Sequence, residues 1–422
     1  MTKEETVSSL FFLTNKLKDI VKRKGWYKRD IRRFRVESVA DHIYGSQMLA
    51  FAMYSEFDYD VDINKVILIL AIHEIAEAIL GDFTPSEMSR EDKAILERKT
   101  VIELLDMIPN GEILKALYLE YEDQKTKEAI FAFQVEHAEC DLQAKLYVEE
   151  GCFSHKFNKD EFVENWIGYD IKRLPYNDNF KELLEYVSIN DTIVISHQDN
   201  PFQNVISFYK LANSLKDKKR KGEEIWRINK EKYGSIAEHI YSVQMLELII
   251  HLVYSENIDI SKVIALTSVH ELGEILFGDK DALTKTDEDR TKEYEDAIEI
   301  ASILTKGNVI IALLEEFNNM KTKEAIFAKY CDKLTPSIIS KIYDQQDLVD
   351  LNNQKGNKLL DNPIVKKHLD NGASFSSMWI LYGQEVYQYP EPLKSISEHI
   401  LNNTIEEPYS TILSKKLGIK TV

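Results

Sequence analysis

The sequence predicts an all-α protein made of two tandem copies of one helical bundle, packed on each other as an intramolecular pseudo-dimer. Three observations lead there. Apolar residues recur at helical spacing along most of the chain, while strand-like alternation is nearly absent. The second half repeats the first in register: His42 and His239, His73 and His270, Glu77 and Glu274, and Asp82 and Asp279 are each 197 residues apart. The length, 422 residues, is enough for two or three domains with sizeable cores. Symmetric homodimers are the commonest assembly, so a fused duplication is expected to pack on itself in the same way.

The elements follow in order. Residues 8–25 read as an amphipathic helix, followed by a basic stretch with Lys28, Arg29, Arg32, Arg33 and Arg35. Ser38 is placed to cap a long apolar helix through Met53, with Asp41 in its first turn. After the polar turn Asp58–Asp62, residues 63–80 read as one helix carrying His73 and Glu77 on one face, closed by Gly81. Helices over 86–108 and 111–122 are separated at Pro109-Asn-Gly111. Residues 125–150 form a long helix with Glu136 and Glu139, and shorter helices cover 158–174 and 179–187. Thr192-Ile-Val-Ile195 is too short to count as a strand. The first copy thus spans 1–187, a linker 188–204, and the second copy 205–422. The restart is explicit: Arg220-Lys-Gly222 echoes Arg23-Lys-Gly25, and Lys321–Ala328 repeats Lys125–Ala132 without a change. Trp26 pairs with Trp226, and Trp166 with Trp379.

Composition narrows the class. The chain is 44% hydrophobic and 29% charged, with a formal charge of −18. That acidic excess makes nucleic acid an improbable partner, because backbone binding needs lysine and arginine to replace counterions. Cys140, Cys152 and Cys331 show no paired spacing, which fits a reduced, cytoplasmic setting. No signal pattern opens the sequence and no uninterrupted apolar run is long enough to cross a bilayer, so no membrane partner is expected.

The chemistry concentrates in one recurring constellation. In the first copy it is His42, His73, Glu74, Glu77, Asp82 and Glu136; in the second it is His239, His270, Glu271, Glu274, Asp279 and Asp332. Two imidazoles with two carboxylates suit a divalent Mn, Co, Fe, Ni or Zn ion. Glu77 and Glu274 are placed as general base or acid toward water. Asp82 and Asp279 are placed to accept from a substrate hydroxyl. Arg33 or Arg35 could clamp a phosphate, against the plainer reading of a solvated loop. The remaining histidines do not recur in register and read as structural. Glu139 shares a face with Glu136 but meets Thr335 in the second copy. The paired tryptophans read as core anchors before stacking platforms.

The order His … His-(Asp/Glu) … Asp resembles the HD-domain superfamily of metal-dependent phosphohydrolases. Glu37-Ser-Val-Ala-Asp-His42, His73-Glu-Ile-Ala-Glu-Ala-Ile-Leu-Gly-Asp82 and Leu142-Gln-Ala-Lys-Leu-Tyr147 look like the branch that contains 5′-deoxynucleotidases. The resemblance covers about 8–187 and, more weakly, 205–401. It implies one metal per copy held by His42, His73, Glu74 and Glu136, and by their counterparts His239, His270, Glu271 and Asp332. It also implies catalytic Glu77 and Glu274, nucleotide contacts at Asp82 and Asp279, and hydrolysis of a deoxynucleoside 5′-monophosphate. The departures are Glu74 and Glu271 in place of the pattern's Asp, and Glu136 in place of the distal Asp. Competing readings are a hydrolase of triphosphates or signalling nucleotides, and a nucleotide sensor with little turnover. Further oligomerisation is left open.

Overall fold

The computed structural model describes residues 1–22, 31–84, 87–152, 177–280 and 283–419. Among them every regular element is a helix, and the only β contacts are isolated bridges, Val21 with Ser38 and Lys219 with Ser235. In chain order the first copy contains α1 (Lys3–Asn15), α2 (Val39–Glu56), α3 (Ile63–Ile72), α4 (Glu77–Leu80), α5 (Arg90–Leu105), α6 (Gly111–Glu122), α7 (Lys127–Glu149) and α8 (Asp178–Ile189). The second contains α9 (Pro201–Asn213), α10 (Lys221–Ile225), α11 (Ile236–Tyr254), α12 (Ile260–Val269), α13 (Glu274–Phe277), α14 (Asp287–Ala301), α15 (Asn308–Asn319) and α16 (Lys323–Gln345). Further helices, among them α18 (Phe375–Tyr387), follow α17 (Pro363–Asp370) and extend the second copy.

Local chemistry sets the ends. Ser38 accepts from the Asp41 amide at 3.1 Å while Asp41 accepts from the Ser38 amide at 3.0 Å, a capping box that starts α2. Ser235 and Glu238 repeat it at α11. The first helix begins earlier than its apolar pattern suggests, because Thr2 and Glu5 form another such box, and it closes at Asn15 into a single 3-10 turn, Lys16–Lys18. The expected linker is shorter than 188–204: α8 runs to Ile189, and Asn200 caps α9 from Pro201 by accepting from the Phe202 and Gln203 amides. The expected helix over 158–174, Trp26, Trp166, Lys28 and Arg29 lie outside the described residues.

One expectation fails where the site is built. Residues 63–80 are not one helix. Regular bonding stops at Ile72, and the Ile75 and Glu77 amides reach only three residues back, to Ile72 and Glu74. Helix resumes at Glu77 and ends at Gly81, whose φ of 75° only glycine adopts cheaply. The apolar pattern runs straight through this break because Ile72, Ile75, Ala76 and Ile79 are all buried on the same core.

The two copies share one continuous apolar core. Helices α2 and α11 lie against each other, as do α3 and α12. At the contact, Gln47 and Gln244 exchange side-chain amide hydrogen bonds of 3.1 and 3.0 Å with both residues fully buried. Nearer the helix starts, Ser38 donates to Glu238 at 2.8 Å and Ser235 donates to Asp41 at 2.6 Å. The leading helices are exchanged: α1 packs on α11 and α9 packs on α2. Helix α11 is long and apolar enough to cross a membrane by length and composition, yet 94% of that stretch is buried inside the protein.

Candidate metal centres

The first centre is assembled by three elements. His42 stands in the first turn of α2, His73 and Glu74 in the break after α3, and Glu136 midway along α7. The break aims the imidazole: His73 Nδ1 lies 2.8 Å from the Leu70 carbonyl, so Nδ1 carries the hydrogen and Nε2 faces inward as an acceptor. His42 Nδ1 is likewise held, 2.6 Å from Glu139 Oε2. Ligand atoms of His42, His73, Glu74 and Glu136 all lie within 4.8 Å of one another, and all four residues are buried. His239, His270, Glu271 and Asp332 make the same group in the second copy, with His270 Nδ1 2.6 Å from the Thr267 carbonyl.

These groups fit a cation. The Nε2 atoms of His42, His73 and His270 are buried without a hydrogen-bond partner, and buried polar atoms are rarely left so. Each points into a cluster of carboxylate oxygens: His42 Nε2 is 3.7 Å from Glu136, and His73 Nε2 is 3.8 Å from Glu74. A divalent ion among them would satisfy the ring nitrogens and the carboxylates together. In the second copy His239 Nε2 is 3.2 Å from Asp332 Oδ1, a bond that an ion would replace.

The surrounding charges differ between copies. Burial and Lys22 disfavour a proton on His42, but the Glu139 and Glu136 carboxylates outweigh them and push its pKa up to about 9. His239 has no counterpart of Glu139, and burial with Arg220 nearby pulls it down to about 4. Burial also takes His73 down to about 4. Glu271 is held at about 2 because His270, Arg220 and Lys285 outweigh its burial.

Glu77 is fully buried, with Oε1 accepting from Lys93 at 2.8 Å and Oε2 unpartnered. Burial and the Glu74 carboxylate push its pKa well above the usual range. Lys93 also donates to Asp82 at 3.1 Å, fixing that carboxylate beside Glu77. In the second copy Lys285 stands 3.6 Å from Glu274, whose Oε2 is again unpartnered. Burial and Glu271 raise Glu274 in the same way. Asp279 accepts from the Lys221 amide at 2.7 Å and lies 3.7 Å from Arg220.

Arg33 and Arg35 have other partners. Arg33 grips Asp217 with both guanidinium arms at 2.8 and 2.5 Å. Arg35 spans Asp41 and Glu238 at 2.9 and 2.6 Å and donates to the Lys216 carbonyl at 2.7 Å. Both are spent joining the copies, not on the His/carboxylate groups. Sequence reasoning missed the cations that do reach those groups. Lys22 pairs with Glu74, and Lys93, Lys285 and Arg220 surround the acidic side chains. Lysine carries no signal of its own, and Lys93 and Lys285 sit at unrelated positions in the repeat.

Comparison with known proteins agrees with this geometry. The HD-domain family model matches residues 14–167 and 212–367. The 5′-deoxynucleotidase HDDC2 of Dictyostelium discoideum is 33% identical over 149 residues, 33% of this chain and 76% of the relative. The Bos taurus protein of the same name is 32% identical over 130 residues, 30% of this chain and 61% of its own length. The 5′-deoxynucleotidase hdd1 of Schizosaccharomyces pombe is 29% identical over 153 residues, 35% of this chain and 73% of its own. Each alignment is no longer than a single copy. Two separated matches to one domain model, over a sequence that repeats in register, leave one assignment: the chain belongs to the HD-domain family of metal-dependent phosphohydrolases, in its 5′-deoxynucleotidase-like branch, with the domain present twice.

Proposed function

We propose that the protein hydrolyses a deoxynucleoside 5′-monophosphate to the nucleoside and inorganic phosphate, with one divalent metal in each copy. The observation that carries this reading is the His/carboxylate group, present twice, in which the ring nitrogens His42 Nε2, His73 Nε2 and His270 Nε2 are buried without a protein partner. His42, His73, Glu74 and Glu136 would hold one ion and His239, His270, Glu271 and Asp332 the other, from the set Mn, Co, Fe, Ni and Zn. A bound ion of this kind lowers the pKa of water and neutralises charge on a phosphoryl oxygen.

The remaining work falls to the chain's own residues. Glu77 Oε2 is free to take the proton of the attacking water, while Lys93 holds Oε1 in place. A raised pKa lets the same carboxyl keep that proton near neutral pH and return it to the leaving oxygen. Glu274 does this in the second copy. Asp82, oriented by Lys93, accepts from a sugar hydroxyl, and Asp279 is its counterpart. That the relatives are named 5′-deoxynucleotidases supports the monophosphate as substrate. The reciprocal Gln47–Gln244 pair supports reading the chain as a pseudo-dimer closed within itself.

The test is phosphate release from nucleoside mono-, di- and triphosphates, in deoxy and ribo forms, by protein stripped of metal and reloaded. Release from deoxynucleoside monophosphates alone is expected. Release chiefly from triphosphates, or none with any metal, contradicts the proposal.

A further inference from the structure

Beside the second centre lies a cavity of about 200 Å³. It reaches from His239, Glu271 and Asp332 to an aromatic wall that includes Trp226, Phe375 and Trp379. One lining residue does not belong to the second copy. Lys18, in the 3-10 turn after α1, enters from the first.

Its counterpart shows what such a lysine does when it has partners. The stretch Asn15-Lys-Leu-Lys-Asp19 is matched by Asn213-Ser-Leu-Lys-Asp217, which pairs Lys18 with Lys216. Lys216 crosses from the second copy to the first and is buried there. Its ammonium donates to Glu139 at 2.6 Å, Glu37 at 2.8 Å and Gln143 at 3.0 Å. All three hydrogen-bond capacities of that ammonium are used.

Lys18 has none of these acceptors. In register, Glu37 becomes Gly234, Glu139 becomes Thr335 and Gln143 becomes Ile339. The Thr335 hydroxyl turns back to the Cys331 carbonyl at 2.8 Å. The carboxylates whose charge acts on Lys18, namely Glu223, Glu238 and Asp19, each have other partners, Asp19 accepting from Lys230 at 3.3 Å. Glu223 accepts from the Tyr343 hydroxyl and the Gly234 amide, both at 2.7 Å. Glu238 accepts from Ser38, Arg35 and the Ser235 amide. Among the described residues the Lys18 ammonium makes no hydrogen bond or ion pair, and it lines a cavity shared with the second centre. Burial pulls its pKa down, with Glu223 opposing and Lys230 adding to the fall. A half-buried cation with unspent donors is poorly satisfied by the protein alone.

We propose that Lys18 of the first copy is a ligand-binding residue of the second copy's cavity, donating to an acceptor oxygen of the bound nucleotide, so that the second site is built from both copies. This rests on the nucleotide reading given above for the substrate.

The test is calorimetric titration of the metal-loaded full chain, carrying Glu77→Gln and Glu274→Gln to stop turnover. The probes are deoxynucleoside monophosphates and inorganic phosphate. Lys18→Met is expected to weaken one of two binding classes tenfold or more and to leave the other unchanged. Lys18→Arg is expected to restore it to within about threefold. Weakened phosphate binding places the contact at the phosphate; weakening confined to nucleotides places it on the base or sugar, and either supports the proposal. The melting temperature is expected to stay at the parent value, since no protein contact is lost. Unchanged binding of both classes overturns the proposal. So does a melting temperature lowered as far as that of Lys216→Met, which would make Lys18 structural. A parent whose second copy binds none of the probes overturns it as well. Binding without hydrolysis in the unsubstituted protein would remove the hydrolase reading and leave the Lys18 result standing.

Discussion

The two copies place the same four side-chain positions around each centre and then surround them differently. In the first, His42 leans on Glu139, which the second copy holds through Lys216 at 2.6 Å and Tyr209 at 2.8 Å. A carboxylate behind a metal-binding imidazole fixes its tautomer and raises its basicity. In the second, Thr335 replaces that carboxylate, and the room released is part of an open cavity. Gly45 follows the same logic: a methyl there would run into the Glu139 carboxylate and the Lys216 ammonium, whereas its counterpart Ser242 fits and donates to Asn15 at 2.7 Å. One centre is braced and the other roomy, although the helices that carry them recur in the same order.

The comparison can be broken at several points. Turnover should respond most. Glu77→Gln and Glu274→Gln each remove general acid–base help worth about 10²–10⁴-fold in one copy. If both copies are active, each single variant keeps the other copy's rate, and the double variant loses nearly all. A single variant that abolishes activity assigns turnover to one copy.

Stability comes next. Lys216→Met leaves Glu37 and Glu139 buried without their cation, and loss of one partner in a buried ion pair costs about 3–5 kcal/mol. Denaturant unfolding should show that loss, with little change for Lys18→Met.

Metal affinity should separate the copies by a smaller factor. Glu139→Gln is expected to weaken the first centre about 10–100-fold and to spare the second. The pH response gives the same contrast. His42, with its pKa near 9, must lose a proton to take an ion, so affinity at the first centre should climb as pH rises from 6 toward 9. His239, near 4, is already neutral over that range, so the second centre should stay nearly flat. Calorimetry in buffers of different ionisation enthalpy would count the released proton.

The smallest effect is packing. Gly45→Ala should destabilise by about 1–3 kcal/mol by crowding the brace.

Much of this was legible in the sequence. The repeat register gave two helical copies, the Ser38 and Ser235 caps marked the helices that carry His42 and His239, and the candidate ligands come together in space. Three features were hidden, each for a physical reason. The break at His73 leaves every apolar neighbour buried, so periodicity cannot register it. Arg33 and Arg35 have the chemistry of a phosphate clamp, but carboxylates from the other copy claim them, and tertiary pairing leaves no local trace. The lysines that reach across were visible only as the shared Leu-Lys-Asp of the two 3-10 turns. That match stands 198 residues apart, one off the register of the histidines.

The most direct measurement is titration of a divalent transition metal, manganese or cobalt, into stripped protein, repeated with His42→Ala and with His239→Ala. Two ions per chain are expected, each variant losing a different one, with the braced first centre the tighter at pH 9. A stoichiometry that neither variant alters would contradict the account.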